Sequence, residues 1–185
     1  AARNPAWLIC DNAALEAYGL GHVRPWPFPT RRLARDGYLT SSPSLEELAA
    51  RLGIAPTALR ETIERHNAGA GRGVDEEFGK GATIYNRYMG DPARQPNPCL
   101  APIVTPPFHA VQIFAGNLGT SRGLQVDEHG RAVDRTGSPI PGLYAVGNDA
   151  NAVFNGAYPG PGASRGQALT GGYVAACHLA GDDFD

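Results

Sequence analysis

The residues best equipped for chemistry lie in one stretch, Gly142 to Leu179, GLYAVGNDANAVFNGAYPGPGASRGQALTGGYVAACHL. It joins a short apolar run, a loop dense in glycine and asparagine, a lone tyrosine in Tyr158-Pro159-Gly160-Pro161-Gly162, and a helix. Gly147 lets a ligand approach the backbone closely, and Asn148 and Asp149 can accept hydrogen bonds from the hydroxyls of a ribityl or ribose chain. A glycine-aspartate turn is common to many folds, so this signal needs support from its neighbours. The segment Pro161-Gly162-Ala163-Ser164 opens a helix that runs through Ala168-Leu169-Thr170 to about Leu179. Its start presents unpaired N–H groups and the positive end of the helix dipole. A flavin acquires negative charge around N1 and O2 when reduced, so a helix N-terminus aimed there would stabilise the reduced form. The order of these elements suits a nucleotide cofactor.

Several elements must position this stretch. Leu143-Tyr144-Ala145-Val146 reads as a buried strand of a parallel sheet, with Gly147-Asn148-Asp149-Ala150 breaking out at its carboxyl end, where ligands of open α/β folds bind. Gln125-Val126-Asp127 and Arg131-Ala132-Val133 flank the turn Glu128-His129-Gly130 as a hairpin, in which His129 needs no role beyond solvation. Phe108 to Phe114 reads as another strand, running into the glycine-rich turn Ala115 to Gly123. Further upstream, Pro5 to Asp11 begins as a strand, and Asn12 to Tyr18 forms helical turns closed by Gly19.

Ser44 and Glu47 have capping-box spacing, so a helix is expected from Leu45 to Leu52, with Gly53 ending it in the left-handed conformation. Ala55-Pro56 starts a second helix, carried by Leu59 and Ile63 to about Asn67. This pair could be mistaken for a DNA-binding helix-turn-helix. Its second helix carries Arg60, Glu61, Glu64, Arg65 and His66, a mixed-sign face poorly suited to phosphate, which favours a helical hairpin packed on a sheet. His66, near the helix end, is expected to cap or to face solvent. Pro25, Pro27 and Pro29 hold Trp26 and Phe28 in an extended connector, either plugging a groove or meeting a partner. The aperiodic stretch Gly69 to Pro107 offers Tyr85, Arg87, Tyr88, Asp91 and Arg94 as loop-fixing side chains.

Composition narrows the class. In 185 residues, 16 basic and 18 acidic side chains balance to a net charge of -2, which provides no cationic surface for nucleic acid or anionic lipid. Cys10, Cys99 and Cys177 are odd in number and lack CxxC spacing, so neither a disulfide framework nor a zinc site is indicated and no metal is expected. A reducing cytoplasm is the expected compartment. No apolar run reaches the roughly 18 residues of a spanning helix, so no integral membrane segment is expected. The 24 glycines and 16 prolines follow no period, which implies shaped loops. The chain opens on Ala1-Ala2-Arg3 without an initiating Met, and the C-terminal portion of a longer protein is expected.

The Pro141–Ala176 stretch resembles the C-terminal FAD-binding segment of the fumarate reductase/succinate dehydrogenase-type flavoproteins, and more closely their 3-ketosteroid Δ1-dehydrogenase branch. The resemblance extends through FGKGATIYNRYMGDPARQPNPCL, PPFHAVQIFAGNLGTSRGLQVDEHGRAVD and the capped helix pair, and its most specific unit is Tyr-Pro-Gly-x-Gly. It implies an α/β fold with an α+β cap. Residues 1–118 would form most of a substrate-capping domain, and 119–185 the C-terminal segment of a Rossmann-like FAD-binding domain. Fumarate reductases of this type would carry His-Thr-Met-Gly-Gly ahead of the hairpin and an Arg-Leu-Gly-Gly-Asn start to the last helix. This chain has Leu118-Gly119-Thr120-Ser121-Arg122-Gly123 and Gly162-Ala163-Ser164-Arg165-Gly166 in their place, which favours a neutral ketone over a dicarboxylate.

The resemblance also implies roles. Tyr158 and the N–H of Gly162 would hold the substrate carbonyl as an oxyanion hole, acidifying the adjacent carbon, while flavin N5 takes hydride from the next carbon. Gly147, Asn148, Asp149, Gly162, Ala163 and Ser164 would hold FAD. The proton-abstracting base and the GxGxxG fingerprint would lie upstream of residue 1, because GAGRG at Gly69 to Gly73 neither follows a strand nor opens a helix. The expected partner is a steroid-like ketone, with an electron acceptor that the sequence does not identify, and the chain alone is expected to be inactive. Two alternatives stay open: a fumarate reductase-like or Δ4-type FAD oxidoreductase acting on another unsaturated acceptor, and a non-catalytic module whose helix pair binds a partner or DNA.

Overall fold

The computed structural model describes residues 4–117 and 119–182. In chain order the elements are β1 (Ala6–Asp11), α1 (Asn12–Tyr18), α2 (Arg31–Arg35), β2 (Leu39–Ser42), α3 (Leu45–Leu52), α4 (Pro56–Arg72), α5 (Ile84–Tyr88), β3 (Phe108–Ile113), β4 (Arg131–Val133), β5 (Pro139–Tyr144), a 3₁₀ turn at Gly147–Asp149, and α6 (Ala163–Ala180). The fold is thus mixed α/β. The chain divides into two units, 1–115 and 116–185. Leu118, at the expected domain boundary, lies outside the described residues.

In the first unit β3 is the centre of an antiparallel sheet with strand order β1-β3-β2. Side chains alternate across a strand, and β3 is covered on both sides. Val111 packs with Leu15, Val23 and Leu39 in one cluster. Phe108 and Ala110 pack with Leu48 and Leu52 of α3 in another, flanked by Trp7 and Ile9 of β1. Ala49, Leu59 and Ile63 join α3 to α4. The helix pair is therefore a hairpin laid on the sheet, its inward residues being the apolar ones at three- and four-residue spacing. Removing Leu48, which is fully buried, by substitution with Ala would cost about 2–5 kcal/mol.

Local signals decide the helix ends. Ser44 Oγ accepts the Glu47 N–H at 3.2 Å, and Gly53 closes α3 at φ 66°. The return half of the expected capping box is replaced: the Glu47 carboxylate takes the buried Ser42 hydroxyl at 3.0 Å. That hydroxyl has no access to water, so the carboxylate serves it instead. Helix α4 runs past Asn67 to Arg72 and ends at Gly73, φ 73°. The added turn is held from the side, with His66 Nε2 2.9 Å from the Ala101 carbonyl and Asn67 donating to Ile103 O at 3.1 Å. Gly69 is required there, because a Cβ would come 2.6 Å from the Val74 carbonyl oxygen. His66 is thus a tether for the following loop.

In that loop Asn97 is buried and donates to the carbonyls of Gly73 and Lys80 at 3.0 and 3.2 Å. Asp91 and Arg94 both bond the Tyr18 phenol, Arg94 at 3.3 Å, which bears out their expected loop-fixing part. Trp26 is 76% exposed and Phe28 52%, and both border a cleft of the first unit together with Leu15, Ser41 and His109.

In the second unit β4 pairs antiparallel with β5, and α6 packs on the 3₁₀ turn. The Leu143–Val146 run differs from the buried parallel strand expected of it. Within β5 it is largely exposed, and the parallel pairing seen among the described residues of this unit is a single bridge, Leu124 to Ala150. Pro139 and Pro141 lack N–H donors and keep β5 from a central ladder position. Burial begins only at Ala145. The Val126–Ala132 bridge, with Gly130 N–H on Asp127 O at 3.0 Å, closes the expected tight turn.

Candidate functional site

Residues 119–123, 147–162 and the first turn of α6 assemble the candidate site within the second unit. Two glycines allow the first two segments to touch: a Cβ on Gly123 would sit 2.2 Å from Asp149 O, and one on Gly119 would sit 3.0 Å from Asn148 Oδ1. The Thr120 hydroxyl donates to Asn148 O at 2.6 Å, and Leu124 N–H donates to Asp149 O at 2.8 Å. The backbone of the 3₁₀ turn is thereby fixed. The side chains of Asn148 and Asp149 are exposed and hydrogen-bond to nothing among the described residues.

Gly147 is buried at φ 60°, a conformation glycine adopts readily, with α6 lying over it. An added Cβ would meet that of Ala168 at 3.0 Å. Gln167 donates from Nε2 to Gly147 O at 3.3 Å, while its buried Oε1 has no donor among the described residues.

The loop 151–162 is shaped by turns. Asn155 N–H reaches Ala152 O at 3.0 Å, Ala157 N–H reaches Phe154 O at 3.0 Å, and Asn155 itself has φ 54°. Gly156, Gly160 and Gly162 have φ values of 88°, 149° and 93°. Tyr158 is 53% exposed, and its hydroxyl has no partner among the described residues. Gly162 is the N-cap of α6 and offers no side-chain cap. Ala163 N–H is spent on Gly160 O at 3.2 Å and Gly166 N–H on Gly162 O at 2.7 Å. The N–H groups of Gly162, Ser164 and Arg165 have no acceptor among the described residues. Free donors at the start of an 18-residue helix make an electropositive end that fits a flavin ring or a carbonyl oxygen.

The structure therefore brings Gly147, Asn148 and Asp149 under α6 and puts Gly162, Ala163 and Ser164 at its start. Tyr158 is free on the connecting loop. Both stretches that depart from the fumarate reductase pattern carry a guanidinium of their own, Arg122 and Arg165, and both residues are exposed.

Away from these residues, the sequence reading missed two groupings. His129 stacks on His178 at 4.5 Å, and His178 Nδ1 lies 2.7 Å from the Tyr144 hydroxyl. In the first unit His109 is buried between Ser41 Oγ, 2.8 Å from Nδ1, and Asn12 Oδ1, 3.3 Å from Nε2. Burial pushes its pKa down, with the Asp11 and Glu16 charges opposing. No periodicity announces either pairing, since the partners are far apart in sequence.

Residues 1–164 match the FAD binding domain family. The chain is 44% identical to 4-oxocyclohex-2-ene-1-carboxylate 5-dehydrogenase of Sinomonas cyclohexanicum, over 91% of this chain and 29% of that protein. It is 40% identical to 3-oxosteroid 1-dehydrogenase of Mycobacterium tuberculosis, over 95% of this chain and 31% of the relative. The crystal structure of 3-ketosteroid delta1-dehydrogenase from Sterolibacterium denitrificans, in complex with 1,4-androstadiene-3,17-dione, superposes with a TM-score of 0.83 at 39% identity, covering 97% of this chain and 32% of that one. The chain thus spans about 30% of the length of these relatives. Among the described residues no helix is long and apolar enough to cross a membrane. The chain belongs to the FAD binding domain family, as the Tyr-Pro-Gly-x-Gly segment and its surroundings implied, and FAD is the cofactor of that family.

Proposed function

We propose that this chain supplies the carbonyl-binding half of an FAD-dependent enzyme that introduces a double bond beside the ketone of a cyclic substrate, a 3-ketosteroid or a smaller oxocyclohexane. The observation that carries the reading is the pair of unpartnered donors on one short segment, the Tyr158 hydroxyl and the Gly162 N–H, at the start of an uncapped helix. Relatives at 40% and 44% identity that are named for ring-ketone dehydrogenation support it.

Tyr158 and Gly162 donate to the ketone oxygen, and their hydrogen bonds strengthen as that oxygen becomes enolate-like, which acidifies the neighbouring carbon. When bound, the flavin supplies the acceptor for the hydride at N5. Gly147, Asn148 and Asp149 would hold the ribityl chain of FAD, and the first turn of α6, with Ala163 and Ser164, would offer its positive end to the negative charge of the reduced ring. Residues 1–118 serve as part of the substrate cap and 119–185 as the returning segment of the FAD domain, a division that the two folded units support. A reducing cytoplasm is the compartment proposed for the enzyme.

The test is turnover of the flavin-loaded holoenzyme against a panel of 3-ketosteroids and oxocyclohexanes with an artificial electron acceptor. Flavin bleaching by a ring ketone, reversed by the acceptor, is expected. Reoxidation of chemically reduced flavin by fumarate-type or other unsaturated acids, with no bleaching of the oxidised flavin by any ring ketone, would replace this reading with the fumarate reductase-like one.

A further inference from the structure

Resting on that reading, we infer that the cleft bounded by Ser121, Arg122, Gln125, Asn151, Asn155 and Gly156 receives a carboxylate carried by the ketone substrate. The enzyme then selects carboxylated cyclic ketones over neutral ones. The cleft encloses about 400 Å³ and lies wholly within the second unit. Its polar lining comprises a guanidinium, a hydroxyl and three carboxamides, with no carboxylate among them.

Arg122 makes no ion pair or hydrogen bond among the described residues. Asn151 spends its Oδ1 on Gly123 N–H at 3.0 Å, which leaves its Nδ2 donors free. The Gln125 and Asn155 side chains are likewise unengaged among the described residues. Donors in excess of acceptors around one permanent positive charge are what a carboxylate requires, since its two oxygens accept several hydrogen bonds and match the guanidinium fork.

Position ties the cleft to the reaction. Asn151 to Gly156 belong to the loop that carries Tyr158, and Asn155 precedes it by three residues, which places their Cα atoms at most about 10 Å apart. That is the scale of one ring bearing a ketone at one end and an acid at the other. The loop is shaped for this by its turn bonds and by Asn155 at φ 54°. The same donors would also accept a phosphate, so the cofactor diphosphate is the competing source of anionic oxygen.

The experiment compares 4-oxocyclohexanecarboxylate with its methyl ester in the flavin-loaded holoenzyme, as wild type, Arg122→Gln and Arg122→Lys. Wild type should prefer the acid. Arg122→Gln should lower kcat/KM for the acid about 10- to 100-fold, mainly through KM, as expected on losing a charge-assisted hydrogen-bonded pair. The loss should be far smaller for the ester, the flavin content should be retained, and Arg122→Lys should restore part of the loss for the acid. Wild type that turns over the ester without preferring the acid would overturn the carboxylate site and leave the ketone dehydrogenase reading standing. So would equal losses for acid and ester, while loss of flavin in the variants would assign the cleft to the diphosphate. Wild type inactive on every cyclic ketone would overturn both.

Discussion

The phenol oxygen of Tyr144 lies 2.7 Å from Nδ1 of His178, so the end of β5 is tied to the last turn of α6, the helix whose first turn carries the candidate site. His129, from the turn before β4, stacks on the same imidazole at 4.5 Å. Three separate segments thus converge on one ring.

Replacing Tyr144 with Phe keeps the ring and removes the hydroxyl. A net loss of about 1 kcal/mol of unfolding free energy is expected, the usual worth of one partly buried hydrogen bond. Urea denaturation of Tyr144→Phe, of His178→Phe and of the double variant checks it: the His178 substitution should cost less when the Tyr144 hydroxyl is already gone than when it is present.

Tyr158→Phe separates binding from stability. The hydroxyl has no internal partner, so the melting temperature should hold, while turnover on a ring ketone should fall by about 2–4 kcal/mol of barrier, as when an oxyanion donor is lost. Steady-state kinetics with an artificial acceptor measures this. Unchanged kcat would remove Tyr158 from the chemistry.

Gly147→Ala tests the cofactor cradle proposed for the 3₁₀ turn. At φ 60°, with Ala168 Cβ 3.0 Å from the added methyl, the substitution strains the backbone and lifts α6 from the turn beneath it. About 1–3 kcal/mol of destabilisation and a lower flavin-to-protein ratio are expected, read from the visible spectrum after gel filtration.

Two buried groups make the first unit sensitive to acid. Burial holds the His109 pKa below its ordinary value, against the opposing charges of Asp11 and Glu16. Its stabilising contribution is complete above the unfolded value of about 6.5 and is lost as pH falls through the folded one, because the unfolded chain binds the proton first. Unfolding free energy should therefore decline as pH drops below about 6.5, and His109→Gln should flatten that slope.

Asp11 acts at lower pH. Burial raises its pKa, but backbone donors from Ala14 at 2.9 Å, Thr105 at 3.0 Å and Val104 at 3.1 Å outweigh it and hold the carboxyl below its usual value. Its contribution is present above about pH 3.9 and is lost as pH falls through the lowered folded value. Asp11→Asn places an amide donor against donors, which should cost about 1–3 kcal/mol at neutral pH in a thermal melt.

Much of this was legible from residue order. Ser44, Gly53 and Pro56 marked the α3–α4 turn because capping and proline geometry are local. Gly162 likewise marked the start of α6, and the Tyr158 segment identified the family. The extension of α4 to Arg72 was not legible: its glycine-rich last turn lacks apolar periodicity and is held by His66 and Asn67 bonding residues 35 and 36 positions away. The exposed antiparallel β5 was missed for a different reason, since an apolar run says nothing of its pairing partner.

The sequence by itself determined where α3 begins and ends, where α4 and α6 begin, that Gly147 permits close approach, and which cofactor family the chain belongs to, because propensity, capping and backbone sterics act over a few residues. Only the tertiary structure decided that Asp11 serves Val104 and Thr105, that His109 is sealed between Ser41 and Asn12, and that His129, His178 and Tyr144 meet. Those contacts arise from packing elements far apart in the chain. Burial then obliges each polar group brought inside to find a partner that no local pattern names.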